Sequence, residues 1–308
     1  MTEYKNVALI GAGAVGAYFI YGFTKLQNIN FCVVAEGERL NRLKSDGIII
    51  NDEVYHPDIK TPKEAHGTNL LLVCTKYQGL ESSLSMIEEI VDEHTVVMSL
   101  LNGIDSEEII AKRIGGSHLL YSVMRISSER RNGKIYFVPE TTIGVTVGEK
   151  TKPGITDRVN AFVELMTKAN LKAFPCEDIL LDQWSKYSMN IIYNLPQAVL
   201  GVGFGAYYNS EYIATIRDRM FEEVCTVANA EGIPLKTQGD WRKACVQTAR
   251  FSTLQDLDAK RHTEVDMFVG ALIKLADKHN IKVPFCEYTY LAIKALEEKN
   301  DGKFDFSI

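Results

Sequence analysis

The chain has 308 residues, enough for two domains of ordinary size. Hydrophobic residues make up 46% and charged residues 24%, the profile of a globular rather than a disordered chain. A net charge of -6 with no basic stripe argues against nucleic acid as the main partner, and no apolar run reaches the roughly 20 residues of a membrane span.

The first residues, MTEYKN, run straight into a strand-like segment without the layout of a signal peptide. Six cysteines (32, 74, 176, 225, 245 and 286) form no C-x-x-C pair and no zinc spacing, so no metal is expected. A reduced, cytoplasmic location is the default expectation.

The first half of the chain alternates strand and helix. NVALI (6–10) is a buried strand ending in glycines, and 14–27 has a helical pattern. FCVVA (31–35) is a second strand, followed by a helix near 38–46; IIIN and VYHP read as a hairpin. NLLLVCT (69–75) and TVVMSL (95–100) are further strands, with a helix over about 79–92 between them. Near-continuous apolar strands separated by helices predict a parallel sheet covered on both faces. Segments 118–126, 134–138 and 142–148 then read as antiparallel strands, with Asn132-Gly133 as a turn signal. From about 155 helices dominate: 155–168, 179–200, 209–231, 240–249, 255–280 and 285–298. Leu171 to Asp178 reads as a last strand and connector. The expected fold class is α/β, with an N-terminal Rossmann-type dinucleotide-binding domain (1–178) and a C-terminal all-helical domain (179–308) for substrate and dimerisation.

Residues 11–16 read GAGAVG: Gly11, Ala12, Gly13, Ala14, Val15, Gly16. This G-x-G-x-x-G follows a strand and opens a helix, the context a dinucleotide site requires. Gly11 permits the turn, Gly13 lets the backbone approach a pyrophosphate, and Gly16 lets helix and strand pack closely. Glu36 lies 20 residues after Gly16, where a carboxylate accepts from the adenosine ribose and repels a 2′-phosphate. NAD is therefore favoured over NADP. Arg39 and Arg42 nearby serve a phosphate if Glu36 points away.

WSKYSMNIIYN (184–194) places Lys186, Asn190 and Asn194 at i, i+4 and i+8 on an otherwise greasy helix. Buried polar groups need partners, from the protein or from a ligand. A lysine suits the proton donor that a carbonyl needs as hydride arrives. A second polar cluster, STLQDLDAKRHTEVD (252–266), contains Ser252 and Glu264. By spacing alone Asp256, Asp258, Arg261 and Glu264 read equally well as exposed helical pairs. His262, Glu264 and Asp266 alternate and so share no helix face, which sets aside a metal reading. Lys76 follows one buried strand and Asn102 another, at the carboxyl ends where ligands of open parallel sheets gather.

Together these residues resemble the ketopantoate reductase family. The resemblance covers nearly the whole chain: GAGAVG, CTK, the LNG loop, the Gly133…Phe137…Gly144 hairpin texture, K-x-x-x-N-x-x-x-N at 186–194, and S-x-x-Q-D…R-x-T-E-x-D from Ser252 to Asp266. It implies a Rossmann-type domain plus a helical domain with the active site in the cleft between them. It further implies Lys186 as general acid with Glu264 as its partner, and Asn190, Asn194 and Ser252 as substrate ligands. Asn102 would touch nicotinamide and substrate, and Lys76 the cofactor. The family commonly has an arginine where this chain has Glu36, and a proline directly after the second asparagine where this chain has Leu195-Pro196. Those departures point toward NAD-dependent members acting on branched or aromatic D-2-hydroxy acids, mandelate among them. The leading expectation is an NAD-linked 2-keto acid reductase, a homodimer by analogy with the family. The alternatives are NADPH-dependent reduction of ketopantoate, as in pantothenate biosynthesis, and a dinucleotide-sensing protein without chemistry.

Overall fold

The computed structural model describes residues 3–151, 154–236 and 246–305. The chain divides into two compact units, residues 1–180 and 181–308.

The first unit is built on an eight-stranded sheet and a separate four-stranded one. The strands are β1 (Asn6–Ile10), β2 (Asn30–Val34), β3 (Ile48–Ile50), β4 (Glu53–Tyr55), β5 (Asp58–Lys60), β6 (Leu70–Val73), β7 (Val96–Ser99), β8 (Leu119–Arg125), β9 (Ser128–Arg131), β10 (Lys134–Phe137), β11 (Gly144–Gly148) and β12 (Ala173–Pro175). The large sheet has the order β12-β11-β8-β7-β6-β1-β2-β5. All its pairs are parallel except β8 with β11. The expected antiparallel set is thus corrected. β8 is parallel to β7 on one side and antiparallel to β11 on the other, and β10 leaves for the small sheet, β4-β3-β10-β9.

Strand composition explains the layering. Val7 and Leu9 of β1 join one apolar layer, while Ala8 and Ile10 join the opposite one. Both faces are therefore buried, which is why β1, β6 and β7 read as unbroken apolar runs. The helices of this unit are α1 (Ala14–Phe23), α2 (Gly37–Asp46), α3 (Leu80–Ile90), α4 (Ser106–Ile114) and α5 (Asp157–Lys168). The helix expected over 14–27 ends at Phe23, where the Thr24 hydroxyl bonds back to Ile20 O at 2.6 Å. Tyr18 and Tyr21 of α1 pack edge-on against Phe137, fixing the small sheet against that helix. Both turns of the small sheet use left-handed residues, Asn51-Asp52 and Asn132-Gly133.

The second unit holds most of α6 (Ile179–Met189), then α7 (Leu195–Leu200), α8 (Ala206–Asn209), α9 (Glu211–Ala230), α10 (Ser252–Asp258), α11 (Ala271–Lys278) and α12 (Pro284–Asn300). Two π turns interrupt the helical path, Asn190–Asn194 between α6 and α7 and Asp266–Gly270 before α11. The helix expected over 240–249 lies outside the described residues up to 245, and 246–249 form a turn. The helix expected over 255–280 is present in two pieces, α10 and α11, separated by an irregular segment and the second π turn. Lys260 takes φ +52 and ends α10, with Arg261 N closing back on Asp256 O at 2.8 Å.

Among the described residues no helix is long and apolar enough to cross a membrane. No group of three His, Cys, Asp or Glu side chains there is placed to hold a metal, and the five described cysteines are free thiols.

Candidate functional site

Four sequence-predicted positions of the first unit share one edge. β1, β2, β6 and β7 run parallel, so the loops carrying Gly11–Gly16, Glu36, Lys76 and Asn102 all leave the carboxyl ends of their strands. The glycines divide by their surroundings. Gly11 has φ +99, and a Cβ there would lie 2.5 Å from the Cys74 carbonyl; one on Gly16 would lie 2.1 Å from Gly11 O. Protein packing alone therefore demands both. A Cβ on Gly13 meets no atom within 4 Å. Its absence leaves room above the loop, at the N-terminus of α1, which has no side-chain cap and no acid in its first turn. An uncapped, open helix N-terminus fits the pyrophosphate of a dinucleotide.

Glu36 is the exposed N-cap residue of α2 and makes no side-chain capping bond. Arg39 lies on the first turn of that helix. Partial burial, followed by the like charges of Arg42 and Arg130, holds the Arg39 pKa below the usual guanidinium value. The β9–β10 hairpin thus brings Arg130 to the corner that Glu36 was expected to govern. Nothing in the sequence linked Arg130 to this corner, because the link is made by strand pairing.

Lys76 is exposed and Asn102 half-buried. Their loops are tied together by Tyr77, whose hydroxyl donates to Asp105 Oδ2 at 2.5 Å. Beneath them Ser99 and Ser106 hydroxyls lie 2.8 Å apart, and Ser106 donates to Glu107 Oε2 at 2.8 Å.

In the helical unit the Lys-Asn-Asn stripe does not lie on a regular α-helix. Lys186 is on α6, while Asn190 opens the first π turn and Asn194 closes it. Lys186 and Asn190 are half-buried and Asn194 is 7% exposed. Among the described residues nothing hydrogen-bonds the side-chain amide of Asn190 or of Asn194. The two π turns pack on each other, and Tyr187 of α6 donates to Phe268 O of the second at 2.6 Å.

Ser252 is the exposed first residue of α10, which packs on α7 and on the first π turn. Gln197 holds it there. Fully buried, Gln197 donates from Nε2 to Ala249 O (3.0 Å) and accepts from Phe251 N at Oε1 (2.7 Å). Glu264, half-buried and bonded within the protein, lies just before the second π turn. The exposed-pair alternative for this cluster is reduced to Arg261 with Asp256 (2.7 Å) and Arg250 with Asp258 (2.5 Å). His262 turns to Asp301 (3.0 Å), and Asp266 accepts from Tyr290 (2.7 Å). Tyr193, Phe204 and Tyr207 form a buried ring cluster that packs on half-buried Phe251, whereas Tyr208 is exposed.

Residues 7–149 match the family model described as ketopantoate reductase PanE/ApbA, and residues 178–297 match its C-terminal model. The chain belongs to the ketopantoate reductase family. It is an oxidoreductase of that family, which works with a nicotinamide dinucleotide. A 2-dehydropantoate 2-reductase of Streptococcus pyogenes serotype M6 is 25% identical over 94% of this chain and 97% of its own length. One from Nostoc is 26% identical over 96% of each chain. Among solved structures, a ketopantoate reductase from Ralstonia eutropha JMP134 aligns with TM-score 0.80 at 20% identity, over 96% of this chain and 99% of its own. The ternary structure of D-mandelate dehydrogenase with NADH and anilino(oxo)acetate aligns with TM-score 0.82 at 19% identity, again over 96% and 99%. These structural likenesses establish a shared fold.

Proposed function

We propose that this chain transfers hydride between NAD(H) and a branched or aromatic 2-keto acid, giving a D-2-hydroxy acid. The observation that carries the reading is the pair of amides on Asn190 and Asn194. They sit in one π turn, one and two steps beyond Lys186, with no hydrogen-bond partner among the described residues. Amides left open in this way offer hydrogen bonds that a ligand can take up. The nicotinamide, when bound, supplies the hydride. Lys186 holds the proton for the ketone oxygen, and its positive charge stabilises negative charge developing there. Glu264 is the counter-charge that orients the ammonium. Asn190, Asn194 and Ser252 bind the carboxylate and fix the keto acid so that one face is presented. In the first unit Gly11–Gly16 cradles the pyrophosphate, Glu36 accepts from the ribose hydroxyls, and Lys76 and Asn102 bind the remaining length of the cofactor.

An aromatic or branched acid is favoured by the fold shared with D-mandelate dehydrogenase, whose ternary structure holds NADH. A second reading, NADPH-dependent reduction of ketopantoate, is favoured by the Arg39, Arg42 and Arg130 corner, whose charge suits a 2′-phosphate. One experiment decides between them: NADH and NADPH oxidation with ketopantoate, 2-ketoisocaproate, 2-ketoisovalerate and benzoylformate. Preferred turnover of benzoylformate or a branched acid with NADH supports the first reading, and ketopantoate with NADPH supports the second. No oxidation with any pair would leave a dinucleotide-sensing protein. A homodimer is part of the proposal, supported by exposed Phe285, Tyr288 and Leu291 at three-residue steps on α12; light scattering tests it.

A further inference from the structure

We propose that Glu297 is a positioning residue that sets the place of Glu264 in the reaction. The inference rests on the reading of Glu264 given above. Between the left-handed Lys260 and the second π turn the chain has no regular structure of its own to fix it. It is held instead by one face of α12. Tyr290, Lys294, Glu297 and Asp301 follow one another at steps of four, three and four residues, the spacing of a single helix face. Tyr290 donates to Asp266 Oδ1 at 2.7 Å, and Lys294 Nζ lies 3.5 Å from Asp266 Oδ2. Glu297 Oε1 accepts from both Thr263 N and Thr263 Oγ1 at 2.7 Å. Asp301 faces His262 Nε2 at 3.0 Å. The anchors therefore fall on 262, 263 and 266, on both sides of Glu264.

Glu297 is the buried member of the set, 2% exposed. Its second oxygen lies 2.9 Å from Lys294 Nζ and 3.7 Å from His262 Nδ1. A carboxylate so buried is unfavourable unless it is compensated; here Oε1 takes both bonds of the residue adjoining Glu264, while Oε2 has the Lys294 charge beside it but no hydrogen bond. A hydrogen bond to the Thr263 N–H together with one to its side chain fixes the backbone where Glu264 begins. A group facing a reacting atom needs that kind of support, because small displacements weaken its action steeply.

The test uses the full chain, with benzoylformate and ketopantoate as substrates and both cofactors. Glu297→Ala is expected to lower kcat by about tenfold or more, with the Michaelis constant for the dinucleotide changed less than about twofold. Glu297→Gln keeps an oxygen for Thr263 and is expected to retain most of kcat. In a Glu264→Ala background, Glu297→Ala is expected to change kcat by less than about twofold, since a residue acting through another adds nothing once that other is gone. An equal loss in both backgrounds overturns the inference. Should Glu297→Ala fail to fold, the nearly isosteric Thr263→Val carries the same comparison. If Glu264→Ala alone keeps wild-type kcat, the role of Glu264 falls, and amide exchange still judges the anchoring. Glu297→Ala should speed exchange at Thr263 to Val265 and leave α9 unchanged, and unaltered exchange at those amides sinks the proposal.

Discussion

Gly13→Ala separates what the glycine loop does for the fold from what it does for a ligand. Gly13 has φ -96 and ψ -162, a conformation alanine adopts without strain. The added methyl meets no atom within 4 Å. Two small effects then oppose each other. Alanine restricts the unfolded chain, worth about 0.4–1 kcal/mol. It is also a poorer N-cap than glycine, by about 0.5–1 kcal/mol. The melting temperature of the ligand-free protein should therefore move by no more than about 2 °C. The dinucleotide meets a different situation, because the methyl fills the space through which the pyrophosphate approaches. Its dissociation constant should rise about 10–100-fold, or ~1.4–2.7 kcal/mol. Gly16→Ala is the control. Its Cβ would lie 2.1 Å from a backbone oxygen, so the loop must shift, at a cost of about 1–3 kcal/mol and several degrees of melting temperature. Scanning fluorimetry without cofactor and NADH fluorescence titration give the two quantities. The reasoning fails if Gly13→Ala binds NADH like the wild type, or melts as low as Gly16→Ala.

Lys186→Ala should lower kcat by about 10²–10⁴ with NADH affinity intact, and near-normal turnover would remove Lys186 from proton donation. Glu36→Ala should raise the NADPH-to-NADH preference by about tenfold as repulsion of the 2′-phosphate is relieved, read from the two kcat/KM values. No change would show that Glu36 does not face the ribose, and Arg130→Ala would then be expected to weaken NADPH use alone. Glu231 gives a pH prediction. Burial opposes its ionisation, yet bonds from Lys278 Nζ (2.7 Å) and His279 Nε2 (2.5 Å) prevail and hold its pKa below the ordinary glutamate value. The unfolded chain therefore takes up that proton first. The stabilisation is fully present above about pH 4.3 and is lost as pH falls through the lowered folded value. The melting-temperature difference between wild type and Glu231→Gln should shrink between pH 5 and pH 3, and a constant difference would refute the assignment.

Much of the fold was legible because its signals are local. NVALI, LLLV and VVMS are strands buried on both faces, and Asn132-Gly133 is a turn whose two residues both take positive φ. The misses share a cause. β5 (DIK) and β9 (SERR) are short and mostly polar, and they exist because β2 and β10 offer them backbone partners. The short helix α4 was missed because SEEIIAKRI is only nine residues long and opens with acids, and its start is fixed by the buried Ser99–Ser106 contact. The break at Lys260 has no turn residue to announce it. The irregular segment after it is held at Thr263 by Glu297, far along the chain.

The candidate site shows the same division more sharply. The spacing of Lys186, Asn190 and Asn194 predicts one stripe only if the helix is regular throughout. Pro196 makes that assumption untenable. An α-helix through position 196 needs an N–H that proline lacks, and the proline ring collides with the carbonyl of Ile192. Ile192 lies in the π turn, whose wider path carries that carbonyl away. Tyr207 then enters from α8. Its hydroxyl donates to Tyr193 O at 2.6 Å and accepts from Gln197 N, standing between two groups that an α-helix would join directly. The Gln197 side chain in turn grips Ala249 and Phe251, the residues that lead into Ser252. Leu195-Pro196, a departure from the family pattern, is thus the local cause of the turn that places Asn190 and Asn194, and the helix beyond it anchors Ser252. Moving the proline one residue earlier, to the commoner family position, would place the colliding carbonyl at Ile191 and redraw the turn.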